Sequence, residues 1–578
     1  MKATNEDMSN IKTPWLPSYG DVPFHLDYPD GSMSDRVFEI AAKYPKYTAL
    51  AFMGREISYA KLAQTIDATA KAFISIGVKP GDKVTVCLPN VPQAVYCLYA
   101  LNRIGAIASM IHPLSAEGEI LFYLNEVDSR CVVTLNQFYD KFVEVQKSRP
   151  IDKLIICGVA EELKPVMAVG FTLTQGRSLP KIPRRPNIIR WPDFLARGRS
   201  LNIVDFAAKR RPTDPAVILF SGGTTGMTKG ILLSNLNFNA LAVQTAAMAH
   251  TEVVGSRMLA AMPIFHGFGL GVCIHTMLAV GGQSILVPRF DVKSYAGLIK
   301  KNRPNFIAGV PTLYEALTRT DYLDGVVLDC LRGVFSGGDS LSIELKKKID
   351  KYLDEHGSPV HVREGYGTTE CVTASCLTPY NQEREGSIGL PYPDTYYKIC
   401  EPGTVEEIPF GSEGEICLCG PSVMLEYLNH PDETAGTLCR HTDGHIWLHT
   451  GDLGYMDADG FIYFKQRIKR MIVTSGYNVY PSQIENIFDA HELVQMSCVI
   501  GVPDPYKMEK VKAFVVLKKG VPSNDETREK LFAYCRKNIA KYAMSYEIEF
   551  RESLPKTLVG KVAYTVLEAE TAEKENGK

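Results

Sequence analysis

Residues 216–230 read AVILFSGGTTGMTKG, an apolar run followed by a loop rich in glycine and hydroxyl side chains. The apolar run predicts a buried strand that ends where the loop begins. Glycines let the backbone turn and bring its N–H groups close to an anion, and the hydroxyls and Lys229 supply further donors. The stretch predicts a loop that binds the phosphates of a nucleotide, with a flexible surface turn as the alternative. Its spacing is not that of the Walker A motif, which disfavours an ordinary P-loop ATPase.

Length and composition are those of an ordinary globular protein. At 578 residues the chain is too long for one hydrophobic core, so we expect two or more domains. With 45% hydrophobic residues, 22% charged residues and a net charge of −2, no global field favours nucleic acid as a partner.

The cysteines and the N-terminus indicate the compartment. The 14 cysteines include no Cys-x-x-Cys pair, which is typical of free, buried thiols in a reducing compartment and disfavours a structural zinc site. Residues 1–14 are polar and predict no secretion signal. The apolar window 270–287 is interrupted by polar residues and glycines, so it predicts a buried helix and a strand rather than a membrane span. We therefore expect a cytoplasmic protein.

Helical and strand-like segments alternate through the first two-thirds of the chain. Helices are predicted over residues 57–76 and 91–103, and strands over 83–88, 106–111, 305–310 and 333–335. Such alternation builds parallel sheets that are covered by helices. The predicted fold class is therefore α/β.

The sequence becomes rich in strand-like segments after Asp452, which predicts a second domain. Residues 463–470 read YFKQRIKR, a highly charged junction, and the sequence beyond it predicts a compact α+β unit. We predict a large N-terminal domain over residues 1–466, with several helix-covered sheets, and a small mobile domain over residues 467–578. The hinge between them is predicted near Lys469.

Residues 177–211 form a basic, proline-containing excursion. It holds 10 lysines and arginines against Asp193 and Asp205. Two interpretations stay open: a solvated linker, and a surface that contacts anionic lipid at the inner face of the membrane.

Further motifs follow the phosphate loop in order. Residues 364–370 read EGYGTTE, in which Tyr366 could stack on a nucleobase and Glu370 could hold Mg²⁺ against phosphate. Asp452, in the sequence TGD, could accept both hydroxyls of a ribose, with Arg467 placed to help. Residues 555–561 read PKTLVGK and carry Lys561 on a glycine-bearing loop.

Together these motifs resemble the adenylate-forming, AMP-binding superfamily of acyl-CoA synthetases, luciferases and peptide-synthetase adenylation domains, over residues 15–567. Residues 15–19 (WLPSY), 309–314 (GVPTLY), 386–391 (GSIGLP) and 473–481 (VTSGYNVYP) look closest to bacterial long-chain fatty acid–CoA ligases. Many members have serine at position 222 and proline at position 228. Gly222 and Thr228 are typical of the long-chain bacterial branch and indicate that subgroup.

The resemblance implies an ATP-dependent ligase that works in two steps. A carboxylate is a poor acyl donor, so it first reacts with ATP to give acyl-AMP and pyrophosphate, and CoA then gives acyl-CoA and AMP. The negative charge of the first transition state requires Mg²⁺, backbone donors and a mobile cation. The implied acid is a medium- to long-chain fatty acid.

The resemblance also assigns residues to the substrates. Pyrophosphate binding falls on Ser221, Gly222, Gly223, Thr224, Thr225, Gly226 and Lys229. Adenine binding falls on Gly338, Asp339, Gly365, Tyr366, Gly367 and Thr368, and ribose binding on Asp452. Glu370 and Thr225 are expected to bind Mg²⁺, and Lys561 is expected to bind the reacting carboxylate and α-phosphate oxygens. Arg467 is expected among the catalytic residues, beside Asp452.

For the second step, the resemblance implies that the small domain rotates about Lys469. Lys561 then leaves the site, and Gly476 and Tyr477 face the pantetheine arm of CoA. Gln466 stands where many members have aspartate or glycine before the arginine, so this chain departs from the family's pattern beside the hinge. His266 lies in a segment, residues 263–269 (PIFHGFG), that matches the aromatic gate of the acyl pocket. We expect it near the adenylate and the thiol entrance, rather than as a general base.

Several alternatives stay open. Residues 336–341 read SGGDSL, which is similar to the phosphopantetheine site of carrier proteins, but its position before Tyr366 favours the turn that lines the adenine pocket. The acid could be an aryl or bile acid, and the acceptor could be a carrier protein. A catalytically inactive nucleotide or lipid sensor is disfavoured because all the expected residues are present. The oligomeric state, monomer or homodimer, is not indicated by the sequence.

Overall fold

The computed structural model describes residue 8 and residues 10–220, 228–474, 477–504, 506–539, 543–557 and 560–576. Its strands form four sheets, two of them large and mostly parallel. Among the described helices, none combines the length and the apolar character needed to cross a membrane.

Nine strands form the first sheet. They are β1 (Thr48–Phe52), β2 (Arg55–Ser58), β10 (Arg257–Ala260), β11 (Gln283–Leu286), β12 (Phe306–Gly309), β13 (Gly333–Gly337), β14 (Val362–Tyr366), β15 (Cys376–Leu377) and β16 (Leu390–Pro391). Their order is β16-β15-β14-β13-β12-β10-β11-β1-β2. The central pairs are parallel, and Gly337 of β13 lies opposite Gly365 of β14. Two of the predicted motifs are therefore neighbours at the carboxyl edge of this sheet.

Eight strands form the second sheet. They are β3 (Lys83–Cys87), β4 (Ile107–Met110), β5 (Cys131–Leu135), β6 (Lys153–Cys157), β7 (Ile188–Arg190), β8 (Pro215–Phe220), β9 (Gly230–Ser234) and β19 (Glu426–Tyr427). Their order is β19-β9-β8-β4-β3-β5-β6-β7. The central strands are buried on both faces, which explains their nearly continuous apolar sequences. Phe220 pairs with Gly230 across antiparallel β8 and β9, so the phosphate loop joins these two strands.

Two smaller sheets complete the fold. The third contains β17 (Tyr396–Cys400), β18 (Gly414–Cys419), β20 (Leu438–Arg440), β21 (Ile446–Met456) and β22 (Ile462–Arg467). The fourth contains β23 (Ile472–Thr474), β24 (Tyr477–Val479), β25 (Val494–Asp504), β26 (Met508–Leu517) and β27 (Glu547–Arg551). One hydrophobic core extends from Trp15 to Ile462, and two separate clusters lie between Ile472 and Leu567.

Helices cover the sheets, as the alternating sequence predicts. They are α1 (Met33–Lys43), α2 (Tyr59–Ser75), α3 (Pro92–Arg103), α4 (Glu117–Glu126), α5 (Tyr139–Ser148), α6 (Pro165–Leu173), α7 (Trp191–Ser200), α8 (Asn235–Met248), α9 (Met277–Val280), α10 (Val292–Asn302), α11 (Pro311–Thr318), α12 (Ile343–Glu355), α13 (Pro431–Thr437), α14 (Pro481–Asp489), α15 (Asp525–Asn538) and α16 (Tyr564–Asn576). Polar side chains start several of them: Ser32 caps α1 by accepting from the N–H of Asp35. A π-helix, Phe268–Thr276, runs directly into α9.

The solvated-linker interpretation of residues 177–211 is wrong for their central part. That part contains β7 and α7, and α7 buries Trp191 and Phe194. Gly198 of α7 lies so close to α2 that an added Cβ would stand 1.9 Å from the carbonyl oxygen of Ala68. Two aromatic side chains and one glycine are thus enough to dock a segment whose average composition is basic and proline-containing.

Candidate active site

A cavity of about 1590 Å³ lies at the carboxyl ends of β13 and β14 and extends to the last part of the chain. Most of the predicted site residues in the described part of the chain line it: His266, Gly338, Asp339, Gly365, Tyr366, Gly367, Thr368, Glu370, Asp452, Arg467 and Lys561. Residues 221–227 and 475–476 lie outside the described residues. The roles of Ser221, Gly222, Gly223, Thr224, Thr225, Gly226 and Gly476 therefore stay predictions.

Tyr366, Asp452 and Arg467 form one hydrogen-bonded and ionic group. Tyr366 donates from its hydroxyl to Oδ2 of Asp452 at 2.7 Å, and Nε of Arg467 lies 3.3 Å from Oδ1. Asp452 and Arg467 are opposite each other on antiparallel β21 and β22. Burial raises the pKa of Asp452, while Arg467 and the Tyr366 hydroxyl act in the opposite direction. The group offers a buried carboxylate beside an aromatic ring, which suits a nucleoside.

Lys561 reaches this group from the C-terminal part of the chain. A Cβ added to Gly338 would lie 3.7 Å from Cε of Lys561, and Thr312 donates from its hydroxyl to the carbonyl of Gly560 at 3.1 Å. Burial lowers the pKa of Lys561 below its ordinary 10.5, and the carboxylates of Asp339 and Asp452 oppose this shift. The ammonium group is thus held beside the same cavity as the nucleoside group.

Glu370 and Lys229 meet at Tyr427, which the sequence did not single out. Tyr427 donates from its hydroxyl to Oε1 of Glu370 at 2.7 Å. Nζ of Lys229 lies 4.8 Å above the centre of the Tyr427 ring and 3.6 Å from Oε1 of Glu433. The carboxylate of Glu370 also lines the cavity, and a carboxylate oxygen facing phosphates is a donor that suits Mg²⁺.

His266 lies in the gate segment, residues 263–269. Its enclosed position, and secondarily the charge of Lys561, lowers its pKa to about 3, so the imidazole is neutral near pH 7. A base with so low a pKa accepts a proton poorly. The position of His266 near the thiol entrance stays a prediction. The apolar neighbour Phe265 packs on His112, with ring centres 4.2 Å apart.

The gate segment contacts a strained turn behind Glu370. Val372 has a φ of 65°, which is unfavourable for a β-branched residue. The N–H of Thr373 donates to the carbonyl of Cys371 at 2.8 Å and closes a three-residue γ-turn. A Cβ added to Gly267 would lie 1.6 Å from the Val372 carbonyl oxygen. The gate and the predicted metal-binding motif are therefore packed without space between them.

The residues around the predicted hinge differ in their exposure and in whether they line the cavity. Lys469 has an exposed side chain in the short turn Ile468–Arg470 and is not among the residues that line the cavity. Its neighbour Arg470 was not among the predicted site residues, but it lines the cavity and forms an ion pair with Glu485. Gln466 is only 1% exposed, and neither of its amide atoms has a hydrogen-bond partner in the described part of the chain. Tyr477 contributes its backbone to β24.

Residues 336–341, which resemble a carrier-protein motif, belong to the cavity wall. Ser336 and Gly337 end the central strand β13, and Gly338, Asp339 and Ser340 line the cavity beside Tyr366. A carrier site would need its serine on a separate small helical unit, whereas Ser340 lies in an exposed turn that directly follows a central strand of the nine-stranded sheet. The turn is therefore part of the cavity wall, and its contact with adenine stays a prediction.

The model for AMP-binding enzymes matches residues 37–428, and the model for the C-terminal domain of AMP-binding enzymes matches residues 483–561. The chain belongs to the AMP-binding enzyme family.

Relatives and solved structures agree with this membership. The long-chain-fatty-acid–CoA ligase of Bacillus subtilis (strain 168) is 34% identical over 566 residues, covering 96% of this chain and 98% of the relative. ATP-bound MatB from Rhodopseudomonas palustris has a TM-score of 0.80 and 25% identity, over 94% of this chain and 99% of that one. A benzoate CoA ligase from Burkholderia xenovorans LB400 shares the fold, with a TM-score of 0.79 and 20% identity over 93% and 99% of the chains.

These matches confirm the predicted resemblance and the predicted fold class. The chain is an enzyme, and the family and its relatives indicate an AMP-forming acid–CoA ligase. Adenylate-forming enzymes of this kind use ATP and CoA.

Proposed function

We propose that this ligase activates medium- to long-chain fatty acids. In the first step a carboxylate oxygen bonds to the α-phosphorus of ATP, and the bond to pyrophosphate breaks. In the second step the sulfur of CoA bonds to the acyl carbon, AMP leaves, and the thiol proton passes to solvent. The main observation that supports this proposal is that Lys561 and the Tyr366–Asp452–Arg467 group line the same cavity. The fatty acid is supported by the name of the relative at 34% identity and by Met110, Ile111, Phe220 and Phe265 in the cavity wall.

The residues divide the work of the first step. We infer that Asp452 accepts the ribose hydroxyls, while Gly338, Asp339 and residues 365–368 enclose the adenine. Lys561 and Arg467 would oppose the negative charge that develops between carboxylate and α-phosphate, where a fixed cation lowers the barrier. Lys229 and residues 221–226 would bind the pyrophosphate. Glu370, with Thr225, would hold Mg²⁺, which neutralises phosphate charge when bound.

In the second step, the C-terminal part of the chain would rotate relative to the N-terminal part. We propose a boundary between residues 466 and 467, with Lys469 at the hinge, because the large core ends at Ile462 and the next cluster begins at Ile472. Rotation there would withdraw Lys561 and bring Gly476 and Tyr477 to the pantetheine arm. Lys469, whose side chain is exposed, lies just beyond the strand β22 that ends at Arg467, so a rotation at this residue would leave the pairing of β22 with β21 intact.

The proposal is tested by supplying carboxylic acids of graded length with ATP, with and without CoA. We expect acyl-CoA and AMP in equal amounts, with fatty acids preferred over benzoate and bile acids. Each methylene in an apolar pocket contributes about 1–3 kcal/mol, so the preferred length should stand out by about 10-fold or more. Acyl-hydroxamate formation without any acyl-CoA would contradict CoA as the acceptor and would favour a carrier protein instead. A preference for aryl acids would contradict the fatty acid.

We further propose that the enzyme contacts anionic lipid at the inner face of the membrane through α6 and the basic residues that follow it. None of the residues of α6 is buried, and Val166, Val169 and Leu173 are 86%, 61% and 56% exposed. Exposed lysines and arginines flank this apolar helix: Lys164, Arg177, Lys181, Arg184 and Arg185. An apolar surface beside positive charge fits a membrane that carries anionic headgroups, where each basic residue contributes about 1 kcal/mol.

Replacing Val166 and Val169 together by aspartate should lower binding to vesicles that contain anionic lipid by at least about 10-fold, because the change removes apolar area and adds negative charge. Vesicle co-sedimentation at low and high salt measures this. Val327→Asp is the matched control, since Val327 is 55% exposed at a site far from α6 in the chain. Equal binding of all three proteins would contradict the contact.

A further inference from the structure

Neighbouring strands of the third sheet present thiols and imidazoles on one face. Cys417 of β18 is directly opposite His449 of β21, and Cys400 of β17 is opposite Glu415. Alternate residues of a strand share a face, so Glu415 and Cys417, and with them Cys400 and His449, lie on the same side. His441 joins them from the segment between β20 and β21. Strand pairing thus collects cysteines and histidines that no local sequence spacing brings together.

The donor atoms are close enough for one metal ion. The sulfurs of Cys400 and Cys417 and a ring nitrogen of His441 all lie within 4.8 Å of one another. Both cysteines are completely buried, and His441 is 4% exposed. In a tetrahedral zinc site, Zn–S bonds of about 2.3 Å and Zn–N bonds of about 2.0 Å separate the ligand atoms by about 3.3–3.8 Å. Small rotations of these side chains would therefore complete the coordination.

The two histidines form a hydrogen-bonded chain that ends in a carboxylate, as is common where a histidine binds a metal. Nδ1 of His449 lies 2.9 Å from Oε2 of Glu415, and Nε2 of His449 lies 2.8 Å from Nε2 of His441. If His449 donates to Glu415 and His441 donates to His449, the nitrogen of His441 that remains for a ligand is Nδ1. Nδ1 is buried and has no hydrogen-bond partner among the described residues. Metal-binding histidines characteristically donate their other N–H to such a chain ending in a carboxylate.

The charges around the cluster also balance. Two thiolates neutralise a divalent cation, which removes most of the cost of burying it. The ammonium group of Lys398 is engaged by Asp443 at 2.7 Å and lies 4.0 Å above the Trp447 ring. Met8 and Ile11 pack against the cluster of Cys400, Cys417 and Trp447 and help to close this face.

We propose that Cys400, Cys417 and Nδ1 of His441 bind one Zn²⁺ ion as three of its ligands. Thiolate and imidazole donors select this ion over Mg²⁺ or Ca²⁺, and binding releases the two thiol protons. None of the three ligands lines the ATP-binding cavity, so the ion would take no part in the ligase reaction. It ties β17 and β18 to the segment between β20 and β21, where His441 lies. His441 in turn contacts His449 of β21, the strand that carries Asp452. The absence of a Cys-x-x-Cys pair, which disfavoured zinc in the sequence, does not apply to ligands gathered by sheet pairing.

The test is the metal content of the full chain after incubation with Zn²⁺ and desalting. We expect one zinc per chain for the unmodified protein, and at least about 10-fold less for Cys417→Ser and for His441→Gln. Cys535→Ser is the matched control, because Cys535 is buried in α15, away from the cluster. The Cys535→Ser protein should bind as much zinc as the unmodified protein. Circular dichroism identifies any variant that has not folded.

Co²⁺ in place of Zn²⁺ gives a second readout that does not depend on a variant. A thiolate-to-cobalt charge-transfer band is expected for the unmodified protein at one equivalent. Three results would overturn the site: no stoichiometric zinc, equal zinc in Cys417→Ser and the unmodified protein, or a disulfide between Cys400 and Cys417 in the isolated protein. Ligase activity is not part of any of these readouts, so they test the site independently of the proposed function.

Discussion

Replacing Lys561 by alanine should lower the rate of acyl-adenylate formation by at least about 10²-fold, which is the scale for loss of one preorganised charge in an enclosed site. Lys561 is the cation that the C-terminal part of the chain places beside Gly338, Asp339 and Asp452. Without it, the charge that develops between the carboxylate and the α-phosphate is opposed mainly by Arg467. Pyrophosphate release with a fatty acid and ATP, in the absence of CoA, measures this step alone.

The same variant separates the two half-reactions. Because Lys561 is proposed to leave the site before CoA arrives, thiolysis of supplied acyl-adenylate should proceed at close to the normal rate in Lys561→Ala. Lys530→Ala is a suitable control, since Lys530 is exposed on α15 and pairs only locally with Glu526. Pyrophosphate release that is unchanged by Lys561→Ala would contradict the role of this lysine. Equal loss of both half-reactions would contradict its withdrawal.

The order and type of the elements were predictable where local sequence decides them. Residues 216–220 became part of β8 because an uninterrupted apolar run fits a strand buried on both faces, and residues 83–87 became β3 although Lys83 and Thr85 interrupt its apolar residues. The window 270–287 contains a π-helix, α9 and β11, as its interruption by glycines indicated. The type of each of these elements depends on residues that are close together in the chain, so it could be predicted from the sequence.

Contacts between distant segments were predictable only where a motif was recognised. The Tyr366–Asp452 bond joins residues 86 positions apart, and composition gives no sign of it. Tyr427 was missed because it lies on a two-residue strand, β19, and gains its position by pairing with β9 beside the phosphate loop. The cluster of Cys400, Cys417 and His441 was missed for the same reason, since strand register and not spacing creates it.

Replacing Gly267 by alanine should reduce kcat/KM for adenylation by about 10²-fold, although the change adds a single methyl group. That methyl would lie 1.6 Å from the carbonyl oxygen of Val372, so the backbone of one segment must move. Val372 cannot move freely, because it is already held at a φ of 65° in a γ-turn. The displacement is therefore passed to Glu370, two residues earlier, or to His266 in the gate. A shift of about 1 Å in a group that positions substrate is enough for this loss.

Gly297→Ala is the matched control for this prediction. Gly297 lies inside α10, and an added Cβ meets nothing within 4 Å. Alanine is the better helix former by about 1 kcal/mol, so this variant should keep full activity and melt at the same temperature or higher. Thermal melting of both proteins separates lost positioning from lost stability: Gly267→Ala should retain a cooperative transition below that of the unmodified enzyme. Normal adenylation by Gly267→Ala would show instead that the turn at Val372 yields without disturbing Glu370, and that the close packing of the gate does not position the site.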